Sequence, residues 1–347
     1  MGLTGRGEGH GKLLLFGEHA AVLGYPALGL ALDAGISVEL EADGSRSSWE
    51  LDRAGETGPG EGQAATALRE VLSRIAAIVT DFPAGGLART RSGLPMGRGF
   101  GSSAAFCVAL SEAALALAGR AGVTAATRAT MVGDRVALWR IAHKAEAYFH
   151  GTPSGIDTGL AALGGCIAFA PDPPGLPAWH RLSPPSLHFL VGSLPREASA
   201  RTLIAGIREA GLRKGSPEAL ALARLGACSS EAIALLEGDP ARPDGDAQSA
   251  WMAASSATAR AIGELAKTAH HDLASLGLVD PGVAALLARA EAQGALGGKM
   301  SGAGGGGAFW LLYAGRAEAM AGKSELQSEA EKRGLATELS LEVLSTS

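Results

Sequence analysis

Cysteine is scarce and scattered in this chain: Cys107, Cys166 and Cys228 are an odd, widely spaced set among 347 residues. Such a set gives neither a disulfide framework nor zinc-ligand spacing. The eight histidines contain no HExxH pair, which removes the commonest helical metalloprotease signature. Aromatic residues make up 5% of the chain, no run of Lys or Arg occurs, and the formal net charge is −5. Nucleic acid is therefore not an expected partner. No leader pattern opens the sequence, and no apolar stretch reaches membrane length without interruption, so neither membrane insertion nor export is expected. Internal repeats and low-complexity tails are also missing. A protein of the reducing cytoplasm is the expectation.

Glycine is what the chain has in excess. Its 50 glycines are roughly double the usual share, and they cluster. A hydrophobic content of 47% and a charged content of 19% describe a globular chain, and its length exceeds one ordinary core. Short strands are expected at Lys12–Phe16, Ala27–Leu32 and Ile36–Glu41, with a polar hairpin and loop over 44–66. A helix is expected over Gln63–Val79, with Ala67, Val71, Ile75 and Ile78 on one face. Helices follow from Ser102 to about Ala118, over Thr127–Phe149 and over Ser154–Leu163, then a strand at CIAFA. Six prolines between Pro171 and Pro185 mark a linker. Beyond it come a strand at SLHFLVGSL, three or four helices over Ala198–Gln293, and a glycine-rich loop leading into a last strand. The expected fold class is α+β in two domains, residues 1–183 and 184–347.

The run LPMGRGFGSSAAFCVALSEAALAL, from Leu94 to Leu117, carries the strongest chemistry. Alternating Gly97, Gly99 and Gly101 precede two serines and a long helix. Free N–H groups and the helix dipole at such a start attract an anion, and glycines let the main chain approach it. The run lacks the Lys-Ser/Thr of a Walker loop and has Ser102 where a dinucleotide fingerprint needs its third glycine. On its own, the segment reads equally as a tight turn. Lys12 at a strand start and Glu18-His19 on the following turn suit a cleft, or simply solvent. Asp157 stands three residues after Ser154, which a capping box would explain without catalysis. Glu146 lies near a helix end whose dipole opposes it, a mismatch that a cation would relieve. Lys299, Met300 and Ser301 precede the run Gly302–Gly307, whose conformational entropy cost implies a close backbone approach by a phosphate or a neighbouring loop.

Taken together, GKLLLFGEHAAVLG, PMGRGFGSSAA, HGTPSGIDT and KMSGAGGGG resemble, in order, the motifs of the GHMP small-molecule kinases. Within that superfamily, FGEHAAVLGYPA paired with HGTPSGID is most similar to the mevalonate kinases. The likeness runs from about Gly11 to Phe309. It implies an N-terminal ATP-binding domain with a left-handed βαβ unit, a ferredoxin-like C-terminal domain, and an active site in the cleft between them.

The resemblance also implies roles. Pro95, Gly97, Arg98, Gly99, Phe100, Gly101, Ser102, Ser103 and Ala104 would cradle ATP, with Arg98 either adding a phosphate contact or, the preferred reading, turned to solvent. Ser103 and Glu146 would coordinate Mg²⁺. Lys12 and Asp157 would be catalytic at the acceptor hydroxyl. Glu18, His19, Gly302, Ala303 and Gly304 would join them around the substrate, for which the resemblance implies mevalonate and its C5 hydroxyl. A homodimer is compatible with the sequence, which leaves the oligomeric state open. Arg98 and Phe100 depart from the family's small residue and leucine. The family's Arg-Ser/Asn-Thr segment is blurred over Arg196–Ile207, leaving Ser199 and Thr202 as equal candidates for its contact. Phosphomevalonate kinase, a mevalonate kinase of altered regiochemistry, and a non-catalytic sensor on the same fold are the rival readings. No basic cluster near the motifs suits phosphomevalonate, and the sugar-binding sequence of galactokinases is missing after Glu18-His19.

Overall fold

A strand that alternates glycine with other residues organises the first part of the molecule. The computed structural model describes residues 3–52, 61–119, 134–171, 175–195, 207, 215–238, 248–335 and 339–346, and strand β1 runs Thr4–Phe16. A Cβ added to Gly5, Gly7 or Gly9 would lie 2.1, 2.2 or 2.1 Å from the carbonyl oxygens of Ala113, Ala109 and Ala105. Those alanines belong to helix α2, Ser102–Ala118. Two residues of strand advance about 6.6 Å and four residues of helix about 6.0 Å, so the two repeats match and the helix lies directly on the strand backbone. Glycine weakens a strand by propensity, which is why the sequence suggests a start only at Lys12.

The chain forms two compact units: Met1–Lys12, Ala31–Met96 and Phe100–Gly165 make one, and Leu13–Leu30, Gly97–Gly99 and Cys166–Ser347 the other. In the first unit, β2 (Ala27–Ala42) pairs antiparallel with β4 (Gly86–Ser92), from Ile36 opposite Ser92 to Ala42 opposite Gly86. Strand β3 (Trp49–Asp52) lies parallel to β4 and reaches it through α1 (Glu61–Ala76), a βαβ unit. Strand β2 is continuous where a break at Asp33-Ala34-Gly35 was expected, and β4 had no counterpart in the sequence reading. Helix α1 buries Leu68, Val71, Leu72, Ile75 and the following Val79, while Ile78 is exposed. Helix α2 is apolar all round and buried along most of its length, as a central helix must be. Helices α3 (Arg135–His150) and α4 (Ile156–Leu163) pack on it.

In the second unit, β5 (Cys166–Ala170) pairs with Ala27–Leu30 of β2, and β6 (Ala178–Leu182) pairs with β5. Strand β6 occupies the stretch read as a linker. Pro177 and Pro184 flank it, where a proline removes no ladder hydrogen bond. A second, antiparallel sheet has the order β10-β7-β9-β8, formed by Ser340–Ser345, His188–Leu194, Gly307–Tyr313 and Gly297–Met300. Counted from β7, that is the 4-1-3-2 order of a ferredoxin-like sheet. Its helices are α5 (Pro217–Glu237), α6 (Gln248–Ser275), α7 (Pro281–Ala292) and α8 (Arg316–Lys332). Among the described residues, α5 alone is long and apolar enough to cross a membrane by length and composition, a segment that the sequence reading did not single out. It packs along α6, its Gly226 sits where a Cβ would meet the Tyr25 ring at 2.1 Å, and Ser229 Oγ donates to Pro26 O at 2.7 Å.

Candidate active site

The glycine cradle has the backbone its composition suggests. Gly97, Gly99 and Gly101 have φ of 72°, 94° and 74°, a region where side chains are strained. Gly101 is the N-cap of α2, in the left-handed conformation, and supplies no side-chain cap to the helix. Lys12 N donates to Phe100 O at 2.9 Å, and a Cβ on Gly101 would lie 2.5 Å from Lys12 Cγ. The lysine stem therefore passes over the loop because residue 101 has no side chain. Pro95, Ser102 and Ser103 are half-buried, Phe100 and Ala104 buried. Arg98, read as a phosphate contact or, by preference, as solvated, is half-buried and has an interaction partner.

Helix α4 brings Asp157 to Lys12. Lys12 Nζ lies 3.2 Å from Asp157 Oδ1; the lysine side chain is 5% exposed, the aspartate 34%. No capping box forms, because Gly155 is the N-cap and Ser154 Oγ instead accepts from Ile156 N at 3.3 Å. Asp157 thus sits one position too early for the box. Helix α3 clamps α4 at both ends: Trp139 Nε1 donates to Gly155 O at 2.9 Å, and Arg135 Nε to Ala162 O at 2.6 Å.

Glu146, on α3, is 1% exposed, and its Oε1 has no hydrogen-bond partner. Burial, reinforced by the Asp157 charge, raises its carboxyl to about 8, against the opposing pull of Lys12 and Thr158. Ser103 Oγ is 3.2 Å from His150 Nε2, which is 3.9 Å from Glu146 Oε1. Lys12, Asp157, Glu146, His150 and Ser103 thus form one neighbourhood in the first unit.

Glu18 and His19 belong to the second unit with Gly302, Ala303 and Gly304. Both side chains are buried, not solvated. Glu18 is ion-paired to Lys299, and His19 Nε2 lies 3.1 Å from Ala303 O. A carbonyl only accepts, so Nε2 carries the proton. Burial lowers the His19 pKa to about 4, leaving a neutral ring. Gly302 and Gly304–Gly307 all have positive φ, and Gly305 N donates to Leu278 O at 2.9 Å. Ser199 and Thr202 lie outside the described residues.

Residues 63–165 match the sequence model of the GHMP kinases N terminal domain, and residues 253–332 match that of the GHMP kinases C terminal domain. The two matches, in order, span more than half of the chain. The chain belongs to the GHMP kinases. This GHMP kinase is 26% identical to the mevalonate kinase of Thermococcus gammatolerans, over 94% of the chain and 96% of that relative. It is 26% identical to that of Aeropyrum pernix, over 90% of each. Its fold is similar to the crystal structure of L. major mevalonate kinase in complex with R-mevalonate, with a TM-score of 0.75 at 21% identity over 99% of the chain and 96% of that structure. The chain is an ATP-dependent small-molecule kinase, most like the mevalonate kinases.

Three residues of the GHMP kinase escaped the sequence reading as contributors to the site. His150 and Trp139 are not singled out there at all, and Lys299 only as a residue preceding glycines. A lysine amid the apolar and glycine residues of a buried strand was the one available signal, since such a charge is buried only when paired.

Proposed function

We propose that this kinase transfers the γ-phosphoryl group of ATP to the C5 hydroxyl of (R)-mevalonate, giving 5-phosphomevalonate for isoprenoid precursor synthesis. The observation that carries the reading is the Lys12–Asp157 pair at 3.2 Å, with only the carboxylate open to a solute, beside a buried Glu146. The relatives named mevalonate kinase, and the similar structure that holds R-mevalonate, support the choice of acceptor.

Phosphoryl transfer asks for an aligned acceptor oxygen and for positive charge on the moving group, more than for covalent chemistry. Asp157 accepts the hydrogen bond of the acceptor hydroxyl and directs its oxygen. Lys12 fixes that carboxylate and presents an ammonium to the same oxygen and to the transferred group. The N–H groups of 97–104 hold the phosphates at the start of α2. Glu18, His19 and Gly302–Gly304 contact the acceptor. Ser103 and Glu146 would hold Mg²⁺: a buried carboxylate oxygen without a partner, near a hydroxyl, suits a cation that takes its other ligands from phosphate and water. When bound, the ion neutralises charge on the phosphoryl oxygens. Among the described residues no cluster of three or more His, Cys, Asp or Glu ligands forms.

The division we propose is an N-terminal ATP-binding GHMP kinase domain over residues 1–183 and a C-terminal GHMP kinase domain over 184–347, in a cytoplasmic enzyme whose partner is a small molecule. A coupled ADP-release assay across mevalonate, phosphomevalonate, homoserine and galactose tests the assignment. Turnover with mevalonate and not with the other three is expected; preferential use of any other acceptor overturns it.

A further inference from the structure

Lys299 is fully buried on β8, a position where an ammonium persists only when its charge is matched. Its Nζ pairs with Glu18 and donates to Met300 O at 2.8 Å. The rings of Phe16 and Trp310 stand with centroids 5.7 Å from the same nitrogen, within cation–π range. The strand end and turn that it reaches are tied to the following glycine loop twice more. Ser301 Oγ accepts from Leu14 N at 3.0 Å and donates to Leu14 O at 2.9 Å, while His19 pairs with Ala303 O. His19 also holds a φ of 59°, a left-handed backbone that costs energy outside glycine and persists only where its surroundings over-determine it. The charge of Lys299 helps keep the His19 ring neutral, after burial itself. All these groups lie in the second unit.

We propose that Lys299 is a positioning residue for the acceptor: through its ion pair with Glu18 it fixes the Glu18–His19 turn in the strained form that binds the alcohol. The proposal rests on the reading of that turn as the acceptor side. Lys299 touches no reacting atom. It holds Glu18, and Glu18 holds the turn from which His19 reaches Ala303.

The test compares the full-length protein with Lys299→Met, Glu18→Gln and the double variant Glu18→Gln/Lys299→Met. One readout is the ¹⁵N-edited ring spectrum of His19, assigned with His19→Gln; the other is the set of KM values for mevalonate and for Mg·ATP. In the wild type the His19 Nε2–H signal exchanges slowly. In Lys299→Met that signal is lost and the mevalonate KM rises about tenfold or more, with the Mg·ATP KM nearly unchanged. The double variant is no more than about twofold worse than Glu18→Gln in either readout, because the effect of Lys299 on the turn runs through Glu18. A folded Lys299→Met protein with the wild-type signal and KM overturns the proposal. Should Lys299→Met not fold, a double variant much worse than Glu18→Gln in either readout overturns it, since its buried charges have been removed together. If the wild type phosphorylates none of the four alcohols, the functional reading has failed, and the His19 signal still decides whether Lys299 positions the turn.

Discussion

Among the described residues, each of the two units contains one buried lysine facing a carboxylate, and the two pairs differ in the exposure of the acid. Asp157 is 34% exposed opposite Lys12, whereas Glu18 is 1% exposed opposite Lys299. A fully buried pair has surrendered both hydration shells, and only close geometry offsets that loss. Its carboxylate holds the lysine through Oε1. A pair with one partly wet member keeps a face on which a solute can replace water, at little structural cost. The exposure of the acid separates the pair suited to chemistry from the brace, although both combine a lysine on a strand with an acid on an adjoining element.

The brace should break hardest. Lys299→Met leaves the Glu18 carboxylate buried without its cation, a loss of roughly 3–5 kcal/mol by analogy with other truncated buried pairs. Urea unfolding measures it, and a loss below about 1 kcal/mol would erase the distinction drawn above. Asp157→Asn should do the opposite. Turnover falls by on the order of 10²-fold or more, while stability moves by less than about 1 kcal/mol, as expected of a partly exposed ion pair. Glu146 explains the tolerance: without the Asp157 charge its carboxyl ionises more readily and faces Lys12 in its place. ADP release and thermal unfolding on the same preparation check both halves. Wild-type turnover with lowered stability would make Asp157 a structural residue.

The same contrast explains what could be read from the sequence. The cradle was legible because its requirements are local: alternating glycines need only their own positive φ, and α2 needs only the helix formers that follow. Glu146 was legible for a similar reason, as a carboxylate against a helix dipole. The Lys299–Glu18 pair was not, because its partners are 281 residues apart and neither residue's neighbours announce the other. Strand β1 was half legible. Its apolar end, Leu13–Phe16, obeys propensity, while Gly5, Gly7 and Gly9 violate it for the sake of a helix that arrives a hundred residues later. Strand β6 was hidden by prolines that flank it and do not interrupt it.

Glu146 sharpens the comparison from the titration side. In the folded, nucleotide-free protein its carboxyl is raised to about 8 from an ordinary 4.5, through burial first and the Asp157 charge second. The folded state therefore keeps a proton that the unfolded chain gives up. Stability from this group is intact below about pH 4.5 and falls as pH rises through about 8, with a limiting slope near 1.4 kcal/mol per pH unit. Glu146→Gln should flatten that slope in urea titrations at several pH values. Binding of Mg·ADP at pH 7 should release a fraction of a proton, seen as a buffer-dependent calorimetric enthalpy, because a cation takes the ionised form. A slope unaltered by Glu146→Gln would mean that another group carries it.

Trp139→Phe should have the smallest effect and test how the open pair is held. The indole N–H donates to Gly155 O at 2.9 Å, two residues before Asp157, and the ring is fully buried. Phenylalanine keeps much of the ring packing and deletes the donor. The expected loss is about 1 kcal/mol, the contribution of one buried hydrogen bond plus some lost packing, since Gly155 O still accepts from Gly159 N at 2.8 Å and from Thr158 Oγ1 at 3.2 Å. Because Arg135 still holds the far end of α4, the helix should shift and not melt, and turnover should fall by less than about tenfold. The informative result is the relation between the two losses. If thermal stability drops while turnover is untouched, Lys12 alone sets the position of Asp157 and the working pair carries its own alignment. If turnover drops in step, the pair depends on a buried tie behind it, as the acceptor-side turn depends on Lys299.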